Sequence, residues 1–163
     1  MVKVLFVCMG NICRSPMAEA VFRRLATEAG LADQFEIDSA GTLGFHAGSP
    51  PHPGTQRILR DRGVPLGDHL AREVLPADLD DYDYVLAMDR ENLADLRSLA
   101  PHNRRARLFL DYAPHQPLRE VPDPYYNGAF AATYDLVLAA CRGLLDAICR
   151  EQGLTPASPV RPA

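Results

Sequence analysis

The feature that constrains this chain most is its opening, where a continuous β-rich run from Lys3 to Val7, apolar after its first residue, meets Gly10-Asn11 and then Pro16. The run is β-rich and does not alternate with polar residues, which suits a strand covered on both faces. Proline suits the first turn of a helix. Met17, Val21 and Leu25 then follow at spacings of four, one stripe of a helix that stops by Gly30. A lysine before an apolar run also resembles a short signal peptide. This run is too short for one, however, and no small-x-small cleavage site follows it.

The alternation of strand and helix continues. Phe35–Ser39 is a second strand, followed by a glycine- and proline-rich loop through Pro53. A helix starting at Pro53 carries Ile58 and Leu59 and closes at Gly63. Tyr82–Met88 is a third strand. Asp89 then caps a helix bearing Leu93, Leu96 and Leu99 that ends before Pro101. Arg107–Leu110 is a fourth strand, and Tyr112–Asn127, with four prolines, is loop. A last helix runs from about Gly128 to Arg150, with Phe130, Tyr134, Val137, Cys141, Leu144 and Ile148 on one side.

Four strands alternating with helices predict an α/β fold. The sheet is doubly wound, four-stranded and parallel, has helices on both faces, and carries the loop of interest after the first strand. Residues 1–151 are expected to form a single domain, and residues 152–163 a disordered or loosely packed C-terminal tail. In such sheets ligands sit beyond the carboxyl ends of the strands. That places Cys8, at the end of the first strand, across a cleft from the proline-rich loop around Asp123.

Composition narrows the function. With 163 residues, 47% of them hydrophobic, the chain can bury a core without a disulfide framework. A net charge of -4 argues against nucleic-acid binding. No apolar stretch approaches membrane-spanning length. The cysteines, Cys8, Cys13, Cys141 and Cys149, show no zinc spacing, and the histidines show no metal-ligand spacing. We expect a cytoplasmic protein with reduced thiols.

The chemistry concentrates in Cys8-Met9-Gly10-Asn11-Ile12-Cys13-Arg14-Ser15. A helix start presents unpaired N–H groups and a partial positive charge. Gly10 and Asn11 tolerate positive φ, so the turn can curl its amides into an anion nest suited to phosphate. Arg14 adds a planar fork for two oxyanion oxygens. The same field favours the thiolate of Cys8, a nucleophile beside a bound phosphoryl group. Ser15 can donate a hydrogen bond to that sulfur. Asp123, between Pro122 and Pro124, is an acid able to protonate a leaving group. No metal or other cofactor is required, because the loop itself neutralises phosphoryl charge. Taken singly, Cys8 would be a buried small hydrophobe and Asp123-Pro124 a turn; together they suggest a phosphomonoesterase.

Several separated segments carry a family resemblance. Val7 to Glu19, Asp38-Ser39-Ala40-Gly41-Thr42, Tyr84 to Asp89 and Asp123-Pro124-Tyr125-Tyr126 occur in the order found in the low-molecular-weight protein-tyrosine phosphatases, which the chain resembles over roughly residues 2–150. The resemblance implies hydrolysis of protein phosphotyrosine, and of small aryl phosphates, through a phosphocysteine intermediate. In it Cys8 is the nucleophile, Arg14 the phosphate clamp and Asp123 the general acid and base. Met9 to Ser15 bind phosphate, and Asn11 shapes the loop with help from Ser39. Ile12, Phe45, Tyr125 and Tyr126 line the cleft, with Phe45 where the family has a large aromatic. His69 belongs to a structural segment. The partners implied are tyrosine-phosphorylated proteins and an oxyanion in the loop, the chain being a monomer with at most weak self-association.

Rival functions are weaker. Arsenate reductases of this architecture need additional cysteines near the third strand, and residues 75–100 contain none. Protein-arginine phosphatases of this type have threonine at the position of Ile12 and lack the tyrosine pair. A binding module without catalysis would lose the nucleophile or the acid. Cysteines separated by four residues do not suit a dithiol redox module. Cys13 has two open readings, a packing residue or a reversible disulfide partner of Cys8. Cys141 and Cys149 are expected in the core.

Overall fold

A computed structural model of the chain describes residues 1–157. Its first element, β1 (Val2–Cys8), lies inside the sheet and hydrogen-bonds on both edges. The others, in chain order, are α1 (Arg14–Glu28), β2 (Phe35–Gly41), α2 (Pro53–Asp61), α3 (Pro76–Asp81), β3 (Tyr84–Ala87), α4 (Arg90–Leu99), β4 (Ala106–Leu108), α5 (Pro124–Asn127) and α6 (Phe130–Gln152). The strand order is β2-β1-β3-β4 and every pairing is parallel. This is the doubly wound α/β sheet expected from the alternation.

The unpatterned apolar run of β1 has a direct cause. Val4, Phe6 and Cys8 belong to one core with residues of α1, α2 and α6. Leu5 and Val7 face the other way, into a second core with Leu79 of α3 and Leu93 and Leu96 of α4. Successive side chains on a strand point to opposite faces, so a strand between two helical layers must be apolar throughout. Phe6 anchors the larger core, edge-on to Phe109 at 5.3 Å and tilted against Phe22 at 5.8 Å. Each such pair adds about 0.5–1.5 kcal/mol beyond simple burial.

The sheet order creates the crevice. From β1 the chain moves outward to β2, then returns to β3 on the opposite side of β1. Connections leave in opposite directions at this point, and loops there part to form a binding cleft. The carboxyl end of β1 is Cys8, so the first loop lies at the switch point.

Several boundaries differ from the sequence reading: β2 runs on to Gly41 rather than ending at Ser39, and α6 spans Phe130–Gln152 rather than Gly128–Arg150. The third strand is shorter than Tyr82–Met88, because Tyr82 ends α3 and donates its N–H to Asp78 O. The six-residue α3 was not anticipated: with only Asp78 and Leu79 buried it shows no periodicity, and it starts where Asp78 accepts the Leu75 N–H. The fourth strand ends at Leu108, and Phe109–Tyr112 forms a 3-10 turn that buries both Phe109 and Leu110. Consecutive buried apolar residues cannot share one face of a strand, and the turn solves this. Finally, Tyr112–Asn127 is not all loop, since Asp123 accepts the Tyr125 N–H and starts α5. Of the expected tail, residues 152–163, Gln152 is the last residue of α6, Leu154 donates to Cys149 O at 2.9 Å and Ala157 to Ala29 O at 2.7 Å; residues 158–163 lie outside the described residues.

Gly41 ties β2 to the first loop. A methyl group there would lie 2.7 Å from the Met9 carbonyl oxygen and 3.1 Å from the Asn11 amide nitrogen. Both are backbone atoms of the loop and cannot swing away. Gly41→Ala is therefore expected to cost about 1–3 kcal/mol of stability in urea unfolding. A change below about 0.5 kcal/mol would mean that strand end and loop separate freely.

Candidate active site

The first loop curls because one residue adopts a left-handed conformation. Asn11 has φ 57°, a region that Asn reaches more readily than most residues. The curl turns the Asn11 N–H toward Cys8 Sγ at 3.3 Å. The α1 N-terminus follows at once, with no side-chain cap and no acidic residue in its first turn. Its positive end therefore faces the loop without a competing carboxylate.

The Asn11 side chain explains how this strained turn persists. Its Nδ2 donates to Ser15 Oγ at 2.8 Å and to Ser39 Oγ at 3.0 Å, while its Oδ1 accepts the Arg72 N–H at 2.9 Å. Both donors and the carbonyl oxygen of one buried amide are thus used on three separate segments. With Ser15 Oγ receiving a hydrogen from Asn11, its own hydrogen has two acceptors in reach. Cys8 Sγ lies at 3.0 Å and the Ala40 carbonyl at 3.5 Å, and the sulfur is the better placed.

Arg14 is buried, with 2% of its surface exposed. Its Nη1 donates to Asp89 Oδ2 at 2.7 Å and to Val121 O at 2.9 Å, and Nη2 reaches Asp123 Oδ2 at 3.5 Å. Its Nε is buried with no hydrogen-bond partner among the described residues. Burial opposes the charge, but Cys8, Asp89 and Asp123 more than offset it and hold the guanidinium above its ordinary value. Asp89 was expected only as a helix cap. One of its oxygens does cap α4, accepting the Asn92 N–H at 2.8 Å, while the other holds Arg14.

These groups border one cleft of about 280 Å³. Cys8, Met9, Gly10, Ile12, Cys13 and Arg14 form its floor, and Phe45, Asp123, Tyr125 and Tyr126 its walls. Asn11, Ser15 and Ser39 are fully buried behind the loop and do not line it. Tyr125 stands inward of Tyr126, at 51% against 73% exposure, and Phe45, at 85%, is on the outer rim. Two lining residues were missed from sequence, Leu43 and His46, within a glycine-rich stretch that carries no periodic signal. A larger depression of about 560 Å³, bordered by Asp83, Tyr84, Arg105 and Glu151, lies at the opposite end of the sheet and contains none of this chemistry. Cys13 packs with Ile12 and Ala71. Burial, with the charges of Cys8 and Asp123, pushes its thiol up to about 12, so it stays protonated.

A second tier stands behind Asn11. Ser39 Oγ donates to Glu19 Oε1 at 2.6 Å, and His69 Nδ1 lies 3.2 Å from the same oxygen. His69 Nε2 is 3.4 Å from Asn11 O. Burial alone would raise the Glu19 carboxyl, but His69, Ser39 and Arg23 hold it below its ordinary 4.5. Burial alone would lower His69, but Glu19 and the Asn11 carbonyl hold it above its ordinary 6.5. The two groups are therefore an ion pair. The His69 contribution is complete below pH 6.5 and is lost as pH rises through the raised folded value. The Glu19 contribution is complete above pH 4.5 and is lost as pH falls through the lowered folded value. Between those values His69→Ala should cost about 1–3 kcal/mol in urea unfolding, with a smaller deficit in strongly alkaline buffer. An equal deficit at both would show that the pair is not ionised.

Comparison with known proteins places this geometry. A model of the family described as low molecular weight phosphotyrosine protein phosphatase matches residues 3–154. The chain is 50% identical to the low molecular weight protein-tyrosine-phosphatase YfkJ of Bacillus subtilis, over 94% of this chain and all of that protein. The crystal structure of YfkJ superposes with a TM-score of 0.91, covering 93% of this chain and 97% of that one. The low molecular weight protein-tyrosine-phosphatase PtpA of Staphylococcus aureus is 42% identical, over 94% of this chain and 98% of its own. The structure of DARP, a Drosophila arginine phosphatase, is 36% identical with a TM-score of 0.82, over 90% and 97% of the two chains. The loop after β1 and the fold around it thus have a shared identity: the chain belongs to the low molecular weight phosphotyrosine protein phosphatase family.

Proposed function

We propose that this phosphatase hydrolyses phosphotyrosine in proteins by the following division of labour. Cys8 thiolate attacks phosphorus, forming a P–S bond as the ester P–O bond breaks. Asp123 gives its proton to the departing phenol oxygen. In the second step Asp123, now a carboxylate, takes a proton from water. That water oxygen attacks phosphorus, the P–S bond breaks, and Cys8 leaves as thiolate with the Ser15 hydroxyl hydrogen-bonded to it. Arg14 Nη1 is held by Asp89 and Val121, which leaves the Nε–Nη2 edge for two phosphoryl oxygens. The backbone from Met9 to Ser15 supplies the other donors to the oxyanion.

The observation that carries this reading is the convergence of Cys8 and Asp123 on Arg14, one from the loop floor and one from the wall. The walls supply the preference. Tyr125, Tyr126 and Ile12 line the cleft with Phe45 at its rim, an apolar and aromatic border that favours a flat phenyl phosphate over a short phosphoserine. Likeness to an arginine phosphatase makes phosphoarginine the sharpest competing substrate. Ile12 and the tyrosine pair favour the aryl ester. Residues 1–151 are taken as the catalytic domain, acting as a monomer on cytoplasmic proteins. Among the described residues no helix is long and apolar enough to cross a membrane.

Cys8→Ser should abolish turnover of an aryl phosphate yet keep oxyanion binding; turnover retained by that variant would reject the mechanism. In a panel of phosphotyrosine, phosphoserine, phosphoarginine and arsenate, phosphotyrosine should turn over fastest, unaffected by a strong chelator and blocked by vanadate. Faster turnover of phosphoarginine, or loss of activity to the chelator, would reassign the substrate or the chemistry.

A further inference from the structure

The proton donor sits on a segment with little to hold it. Among the described residues, every hydrogen bond from Pro122 to Phe130 is internal to the segment or to the helix that follows, except the contact between Asp123 and Arg14. The upstream end is secured at Val121, whose N–H donates to Met88 O and whose carbonyl accepts from Arg14. Downstream the tether is aromatic, and its centre is His52.

The His52 ring is stacked on Phe130, with centroids 5.1 Å apart and planes at 22°. It meets Tyr125 edge-on at 5.9 Å and 77°. Phe130 reaches this position because residue 54 is glycine: a methyl group there would lie 2.4 Å from two carbons of the Phe130 ring. The main chain of His52 itself is fastened to the phosphate loop, its N–H donating to Ile12 O at 2.8 Å. Thr55 Oγ1 adds a bond to Cys13 O at 3.1 Å. His52 therefore touches the nucleophile's loop with its backbone and the donor's segment with its side chain.

The choice of residue carries information. His52 Nδ1 accepts the Gly54 N–H at 2.9 Å and so caps α2. Asn, Asp or Ser would cap at least as well, and histidine is not among the preferred cap residues. A ring is what this position adds over a better cap.

We propose that His52 is a positioning residue for proton transfer, its ring setting Asp123 over the phosphate loop through Tyr125 and Phe130. The inference rests on Asp123 being the general acid. A small misplacement of a donor lowers proton transfer without altering oxyanion binding.

The test is single-turnover phenol release with enzyme in excess, using aryl phosphates whose phenols range from ordinary to very acidic. His52→Asn keeps a cap and removes the ring; His52→Phe keeps a ring and removes the cap. We expect His52→Asn to slow release of an ordinary phenol by about 10-fold while staying within about twofold of the unmodified protein for a very acidic phenol and in vanadate affinity. His52→Phe should retain most of the rate with both. Unchanged leaving-group dependence in a folded His52→Asn protein would overturn the proposal, as would loss in His52→Phe alone. Asp123→Asn, run alongside, should lose about 10²–10⁴-fold with ordinary phenols and little with very acidic ones. If Asp123→Asn shows no such dependence, the acid assignment itself fails, which is distinct from failure at His52 alone.

Discussion

A buried guanidinium organises this molecule. Arg14 belongs to the phosphate loop, Asp89 to the turn from β3 into α4, and Val121 and Asp123 to the segment after β4, and one side chain joins all three. Taking such a charge out of water costs several kcal/mol unless partners surround it. Here they do, and the sequence separations of 75, 107 and 109 residues mean that the site closes only when the sheet is complete. Folding and the assembly of the site are in this sense one event. Asp89 makes the link rigid: a carboxylate that caps a helix with one oxygen has little freedom in the other.

The second constraint is the left-handed Asn11. A non-glycine residue at positive φ costs energy that the surroundings must return. Ser15, Ser39 and the Arg72 amide do so directly, and the Glu19–His69 pair stands behind Ser39. Chains of this kind fix which way each hydroxyl points. The result is a Ser15 hydrogen aimed at Cys8, where a departing thiolate is best stabilised.

Much of this was readable before any coordinates, and for physical reasons. The loop is contiguous, so Cys8, Gly10, Asn11 and Arg14 announce their chemistry by spacing alone. The sheet was readable from β1, whose two-sided burial leaves no polar position from Val4 to Cys8. Asp123 was found because an acid between prolines, followed by two tyrosines, is unusual. What escaped depends on distant contacts. Asp89 as a cap is a local signal; Asp89 as the partner of Arg14 is not. His46 and His52 lie in segments that read as loop, and the aromatics His52 meets, Tyr125 and Phe130, are more than 70 residues away. Helix α3 was too short to show a period, and β4 ended early because consecutive residues, Phe109 and Leu110, enter the same core, which the two faces of a strand do not allow.

The central claim is that Cys8, alone among the four cysteines, carries the phosphoryl group. Acid quenching during turnover of an aryl phosphate, followed by peptide mass spectrometry, tests it directly. One phosphoryl group is expected on the peptide containing Cys8, fragmenting to the Cys8 sulfur and never to Cys13, whose thiol burial keeps protonated. Turnover with no covalent phosphoryl adduct, or an adduct on Cys13, would contradict it.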